Sequence, residues 1–192
     1  MVLKPGCRPE IILVGVGATG SHLASHLARA GALLTLVDPD CVEAHNLALA
    51  DGWTDADIGL PKVKVVAGII GDSCRKLVQK PVERVSLSVL KKADLVIGAV
   101  DSRESRLAVD LACAKIRKPW IDTAIGEREA CARVFDAAQG VCYACTLSED
   151  EWSLLRERHA CYTQAIAEPT VSAPRCIQQV CEFVHKLLNQ PI

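Results

Sequence analysis

Short apolar runs alternate with amphipathic stretches through the first two thirds of the chain. "IILVGV" (residues 11–16) is continuous and apolar, which suits a strand covered on both faces. Over residues 21–30 the apolar positions Leu23, Ala24, Leu27 and Ala30 recur at helical spacing, and Gly31 is placed to stop the helix. "LLTLV" (Leu33–Val37) predicts a second strand, and "KVKVVAGII" predicts a helix opening at Lys62, just after Pro61. Further strands are predicted over residues 82–85 and 94–100, then at "WIDTAI" (Trp120–Ile125) and "ACARVF" (Ala130–Phe135). A helix over residues 102–116 lies between the middle two. Such alternation predicts an α/β, Rossmann-like domain: a mostly parallel sheet flanked by helices, joined by right-handed crossovers.

The remainder reads differently. Residues 140–170 are irregular and polar, carrying "CYAC", a short helix near residues 149–157, and "HACYT". Ile177, Val180, Val184, Leu187 and Leu188 then mark a closing amphipathic helix whose apolar stripe is expected to pack on the sheet. With no internal repeat or linker in view, residues 1–192 are expected to form a single domain.

Composition narrows the class. Of 192 residues, 50% are hydrophobic and 23% charged, as in a globular protein rather than a disordered one. A net charge of -1 gives no bulk electrostatic footprint for nucleic acid or a membrane surface. No segment reaches ~18 uninterrupted apolar residues, and "MVLKPGCRPE" lacks the core of a signal peptide, so a cytoplasmic protein is expected. In that setting the ten cysteines read mainly as small hydrophobes; Cys74, Cys113, Cys131 and Cys181 lie in or beside apolar stretches. Cys142, Cys145 and Cys161 do not, and carry candidate chemistry.

The first candidate site is "VGVGATG", with glycines at Gly15, Gly17 and Gly20 between the first strand and the first helix. In such a unit the first glycine permits the tight turn and the second lets backbone amides, here of Gly17, Ala18 and Thr19, approach phosphates. The third allows helix and strand to pack closely, and the helix N-terminus attracts negative charge. Asp38 ends the second strand eighteen residues after Gly20, placed at the surface to hydrogen-bond a ribose hydroxyl. These residues alone leave NAD and ATP undistinguished.

Three further stretches add to the picture: "LVDPDCVEAHNL", "DIGLPKVKVV" and "DLVIGAVDSRESR". With the glycine turn they resemble the ThiF/MoeB/HesA family, adenylating enzymes related to the ubiquitin-activating enzymes. The matching positions are Gly15 to Gly20, Asp38 and Asp40, Val42 and Glu43, Asn46 and Leu47, Gly59 to Lys62, and Asp101 with Arg106. "CYACTLSED" resembles the family's zinc knuckle, and Gln179, Glu182 and Lys186 fall in step with its last helix.

The resemblance implies ATP-dependent activation of the C-terminal carboxylate of a ubiquitin-like or sulfur-carrier protein. Lys62 and Arg106 would supply positive charge to the triphosphate, and Asp101 would hold Mg²⁺. Asp40 and Asn46 would orient the nucleotide. Cys142 and Cys145 would be half of a Zn²⁺ site, with His159 and Cys161 as candidates to complete it. Cys161 is also where the resemblance places an acceptor of the activated acyl group, beside His159 and the charges of Arg156 and Arg158. Where the family has Arg-Gln after Asn-Leu-x, this chain has Leu49 and Ala50. A homo- or heterodimer whose partner supplies the missing charge is therefore expected.

Simpler readings stand beside these. Asp101 with Glu104 three residues on also reads as a helix cap. Lys62 also reads as a solvated first-turn residue, and His22 with His26 as a solvated helix face. At the level of function, a non-catalytic half of a ThiF-like dimer and an NAD-dependent oxidoreductase are the alternatives.

Overall fold

The computed structural model describes residues 8–125 and 130–156. Six strands form one sheet in the order β3-β2-β1-β4-β5-β6. These are β1 (Glu10–Val14), β2 (Leu33–Val37), β3 (Cys74–Val78), β4 (Leu95–Gly98), β5 (Trp120–Ile125) and β6 (Ala130–Phe135). All neighbours pair in parallel except β5 and β6, which pair antiparallel. The chain moves outward from β1 to β3, then returns to the other side of β1 to lay down β4. That reversal puts a crevice between β1 and β4 at their carboxyl ends, where open α/β sheets bind ligands.

Both faces of the sheet are covered over its central strands, because their alternate side chains are largely apolar. Ile11, Leu13, Leu34, Leu36 and Ile97 face α1 (Ala18–Arg29) and α2 (Lys62–Ile70), meeting Leu23, Leu27, Val63 and Val66. Ile12, Val14, Val37 and Val96 face the other way, towards Leu90 of α3 (Leu87–Lys92) and Val109 and Cys113 of α4 (Arg103–Ile116). Each fully buried aliphatic side chain contributes about 1.5–3 kcal/mol, so these two layers dominate the stability of the fold. Trp120, Phe135 and Tyr143 pack together beside α4, with ring centroids 5.2 to 6.4 Å apart. Gly98 makes room for that cluster: a Cβ there would stand 2.9 Å from the Trp120 ring. The last described helix is α5 (Glu149–Arg156).

One strand lies elsewhere than expected. Residues 82–85 do not form a strand; Val82–Arg84 is a 3₁₀ turn after Pro81, and Val82 and Val85 plug the lower core. The strand is Cys74–Val78, at the sheet edge, where Arg75, Lys76 and Leu77 are exposed. Such an edge strand has no apolar run to announce it. The closing helix read at Ile177 to Leu188, with Gln179, Glu182 and Lys186, lies outside the described residues.

Candidate functional site

The glycine turn is built as its three positions require. Gly15 has φ +84°, and a Cβ there would overlap the carbonyl of Ala99, which follows β4. A Cβ on Gly20 would overlap the carbonyl of Gly15, so the first and third glycines let helix, turn and β4 close on one another. Gly17 differs: a Cβ there would meet nothing within 4 Å. It is the N-cap of α1, which has no side-chain cap and no acid in its first turn. The first amides of a twelve-residue helix, Ala18 and Thr19 among them, thus receive no side-chain cap, an arrangement suited to an anion.

Asp38 closes the turn from the side. It is buried, 5% exposed, rather than at the surface as the strand end suggested. One carboxylate oxygen accepts from the Val16 amide at 2.8 Å and the other from the Asp40 amide at 2.9 Å. Burial pushes this carboxyl above the ordinary carboxylate range, against the pull of those two amides and of Lys62. Each oxygen keeps a second lone pair, so a ribose hydroxyl can still be received.

Lys62 is the first residue of α2, and it is not solvated. Its side chain is 12% exposed and its ammonium lies 3.0 Å from Asp40, whose own side chain is 60% exposed. Helix start and strand end are joined there twice, because the Lys62 amide also donates to the Asp40 carbonyl at 2.9 Å. Asn46 has a structural task as well: its side-chain oxygen accepts from the Glu43 amide at 3.0 Å within a short 3₁₀ turn. Its amide nitrogen is left to donate.

Asp101 follows β4 on the far side of the turn. The helix cap is not Asp101 but Ser102, whose hydroxyl accepts from the Ser105 amide at 3.1 Å. Asp101 is exposed, and no partner engages its carboxylate among the described residues. Among those residues no group of three His, Cys, Asp or Glu could hold a metal ion. A lone exposed carboxylate still fits Mg²⁺, which uses one or two carboxylates, phosphate oxygens and retained waters.

Arg106 is engaged within the fold. It pairs with Asp122, and the side chains of the two are only 15% and 8% exposed. Its Nε donates to Asp122 at 3.0 Å and its terminal nitrogen to the Asp101 carbonyl at 3.4 Å. The reason is Asp122 on β5, a buried acid that needs a counter-charge. Burial raises the Asp122 carboxyl and Arg106 draws it back down. No sequence motif singled out Asp122; an acid inside the apolar strand "WIDTAI" was the only signal.

The loop that carries Leu49 in place of arginine is pinned to α1. The His22 ring meets the Leu49 carbonyl at 3.2 Å, and the Asp51 amide donates to the Ser21 hydroxyl at 3.1 Å. His22 is thus half-buried and engaged rather than part of a solvated face.

The sulfurs of Cys142 and Cys145 lie at disulfide distance, and joined so they would offer no thiolate to zinc. Their turn is anchored by Asp110, which accepts from the Ala144 amide at 3.2 Å and from the Trp120 indole at 3.0 Å. His159 and Cys161 lie outside the described residues. Among the free thiols, Cys41 is exposed beside Asp40, whereas burial pushes Cys113 up to about 12. Iodoacetamide at mildly alkaline pH is therefore expected to label Cys41 in the folded protein and spare Cys113, as read by peptide mass mapping. Equal labelling of both would contradict the packing of α4.

Residues 8–191 match the profile of the ThiF family. Among curated proteins, the chain is 30% identical over 148 residues to the adenylyltransferase and sulfurtransferase MOCS3 of Arabidopsis thaliana. It is 33% identical over 150 residues to the adenylyltransferase and sulfurtransferase MOCS3-1 of Zea mays. Each match takes in 72% of this chain and 31% of the relative, so the chain spans about a third of the length of these relatives. A crystal structure of E. coli MccB with ATP matches 96% of this chain and 58% of its own, with a TM-score of 0.65. At 21% identity, that likeness shows the fold alone. No helix among the described residues is long and apolar enough to cross a membrane.

Proposed function

The chain belongs to the ThiF family, and from that premise we propose that it binds ATP and adenylates the C-terminal carboxylate of a ubiquitin-like or sulfur-carrier protein. The observation that carries this reading is what converges on the β1–β4 crevice. The open helix end at Gly17, the buried Asp38 and the free carboxylate of Asp101 all lie at the carboxyl ends of neighbouring strands. Asp38 would receive the ribose and the amides of Gly17 to Gly20 the phosphates. Lys62, steadied by Asp40, would bring positive charge, and Asn46 a side-chain donor. Asp101 would hold Mg²⁺, which when bound offsets charge on the triphosphate.

In the reaction, a carboxylate oxygen of the carrier forms a bond to the α-phosphorus. The bond from that phosphorus to the bridging oxygen breaks, and pyrophosphate leaves with its electron pair. The acyl-adenylate remains. What this chain supplies is position and compensating charge rather than a covalent nucleophile. A second step in the proposal passes the acyl group to the thiolate of Cys161, with AMP as leaving group.

A second reading has its own support. Leu49 and Ala50 bring no charge, Arg106 is committed to Asp122, and Lys62 is partly neutralised by Asp40. A site with so few free cations among the described residues would suit the non-catalytic half of a dimer, or would need a partner to complete it.

Pyrophosphate exchange into ATP tests both. We expect exchange that depends on an added carrier protein and on Mg²⁺, from a dimeric species. Cys161→Ala should keep the exchange while removing a thiol-sensitive adduct with the carrier. A folded dimer inert with every carrier tried would favour the scaffold reading, and binding of NADH without ATP would overturn both.

A further inference from the structure

The ion pair between Lys62 and Asp40 is lopsided. The lysine side chain is 12% exposed and the aspartate side chain 60%, across a contact of 3.0 Å. Both backbones are fixed, because the Asp40 amide donates to Asp38 and the Lys62 amide to the Asp40 carbonyl. What remains free to move is the Asp40 carboxylate. Among the described residues it meets only the Lys62 ammonium, and rotation about its own side-chain bonds returns it to water.

Nothing in α2 calls for a lysine there. A cation in the first turn of a helix opposes the dipole, and α2 has neither a side-chain cap nor an acid in that turn. Lys62 also lies near enough to Asp38 to pull against the burial that raises its carboxyl, so the ammonium belongs to the crevice. A tie between strand end and helix start would be a structural reason for the pair. That tie is already made by the backbone bond between the same two residues.

We infer that Asp40 is a built-in competitor of phosphate for Lys62. Its carboxylate holds the ammonium in the nucleotide-free protein and swings to water when a phosphate group of the nucleotide takes its place. The inference rests on the nucleotide reading of this site and adds a control to it: Asp40 lowers the affinity for nucleotide instead of contributing to it. The exchange costs little on either side. An exposed carboxylate is largely hydrated already, so leaving its partner is cheap. Lys62 trades one anion for another and is never left unpaired in its sheltered position. A site that must release pyrophosphate gains from such a competitor, because the returning carboxylate helps to detach the product.

Calorimetry with ATP tests this. We expect Asp40→Ala to bind ATP about three- to fivefold more tightly than the parent, the scale of one largely exposed ion pair. In a Lys62→Met background the same change should alter ATP affinity by less than about 1.5-fold, because the competition has lost its object. Urea titration should find every variant folded, since the backbone bond from Lys62 to Asp40 survives. If the parent binds ATP and Asp40→Ala binds it equally or less tightly, the proposal alone fails, and Asp40 is a ligand or a strut. Equal tightening in both backgrounds would also sink it, as a general effect of charge. A parent that binds no ATP would overturn it together with the nucleotide reading.

Discussion

Arg106→Met is expected to destabilise the fold by about 3 kcal/mol, because it strands the buried carboxylate of Asp122 without a counter-charge. Met keeps most of the arginine's volume, so packing alone would cost far less. The loss should also depend on pH in a stated direction. Burial already raises the folded Asp122 carboxyl, and removing Arg106 removes the main influence drawing it down. The folded state then holds that proton more tightly than the unfolded chain, so stability rises as pH falls through the folded value. Urea titrations should therefore show the deficit largest at neutral pH and smaller in mild acid. Arg106→Met with Asp122→Leu should regain much of it, since an apolar pair leaves no charge stranded. A deficit under about 1 kcal/mol that does not change with pH would show that the pair is not structural. The same side chain also bears on the proposed Mg²⁺ position, because Arg106 holds the carbonyl of Asp101.

The second large effect is expected at Asp38. Asp38→Ala orphans the amides of Val16 and Asp40 and removes the proposed ribose acceptor at once. Losing a charged acceptor for a ligand hydroxyl costs about 2–3 kcal/mol, or roughly 30- to 150-fold in ATP affinity. Stability should fall too, by about 2 kcal/mol, because the amides left behind are in a buried turn. Asp38→Asn should fall between: its carbonyl can still receive the Val16 amide, but its NH₂ opposes the Asp40 amide. Calorimetry with ATP alongside urea unfolding separates the two losses. An Asp38→Ala protein as stable as the parent and unaltered towards ATP would remove Asp38 from the site.

What could be read in the sequence follows from what burial does to composition. β1 and β4 are covered on both faces and β2 nearly so, so they appear as largely apolar runs and were legible. The edge strand at Cys74–Val78 is covered on one face at best, and its Arg75 and Lys76 made it look like loop. The glycine spacing disclosed the turn, because only backbone without Cβ can bring Gly20 against Gly15. Motif spacing could not tell which way a side chain points. Arg106 and Lys62 both carry the charge the motif calls for, yet Asp122 and Asp40 claim them. Asp122 lies on β5, sixteen residues after Arg106, and only the fold brings the two together.

The tether between α1 and residues 46–51 bears on how the molecule breathes. Ser21 and His22 fasten that loop to the helix whose first turn faces the crevice. Opening the loop must break the Asp51 amide's bond to Ser21, so that amide exchanges with solvent deuterium only when the loop lifts. A ligand that steadies the start of α1, or Asn46 in that loop, is expected to slow that lifting. The Asp51 amide is thus a built-in reporter, and its exchange rate would register occupancy of the crevice.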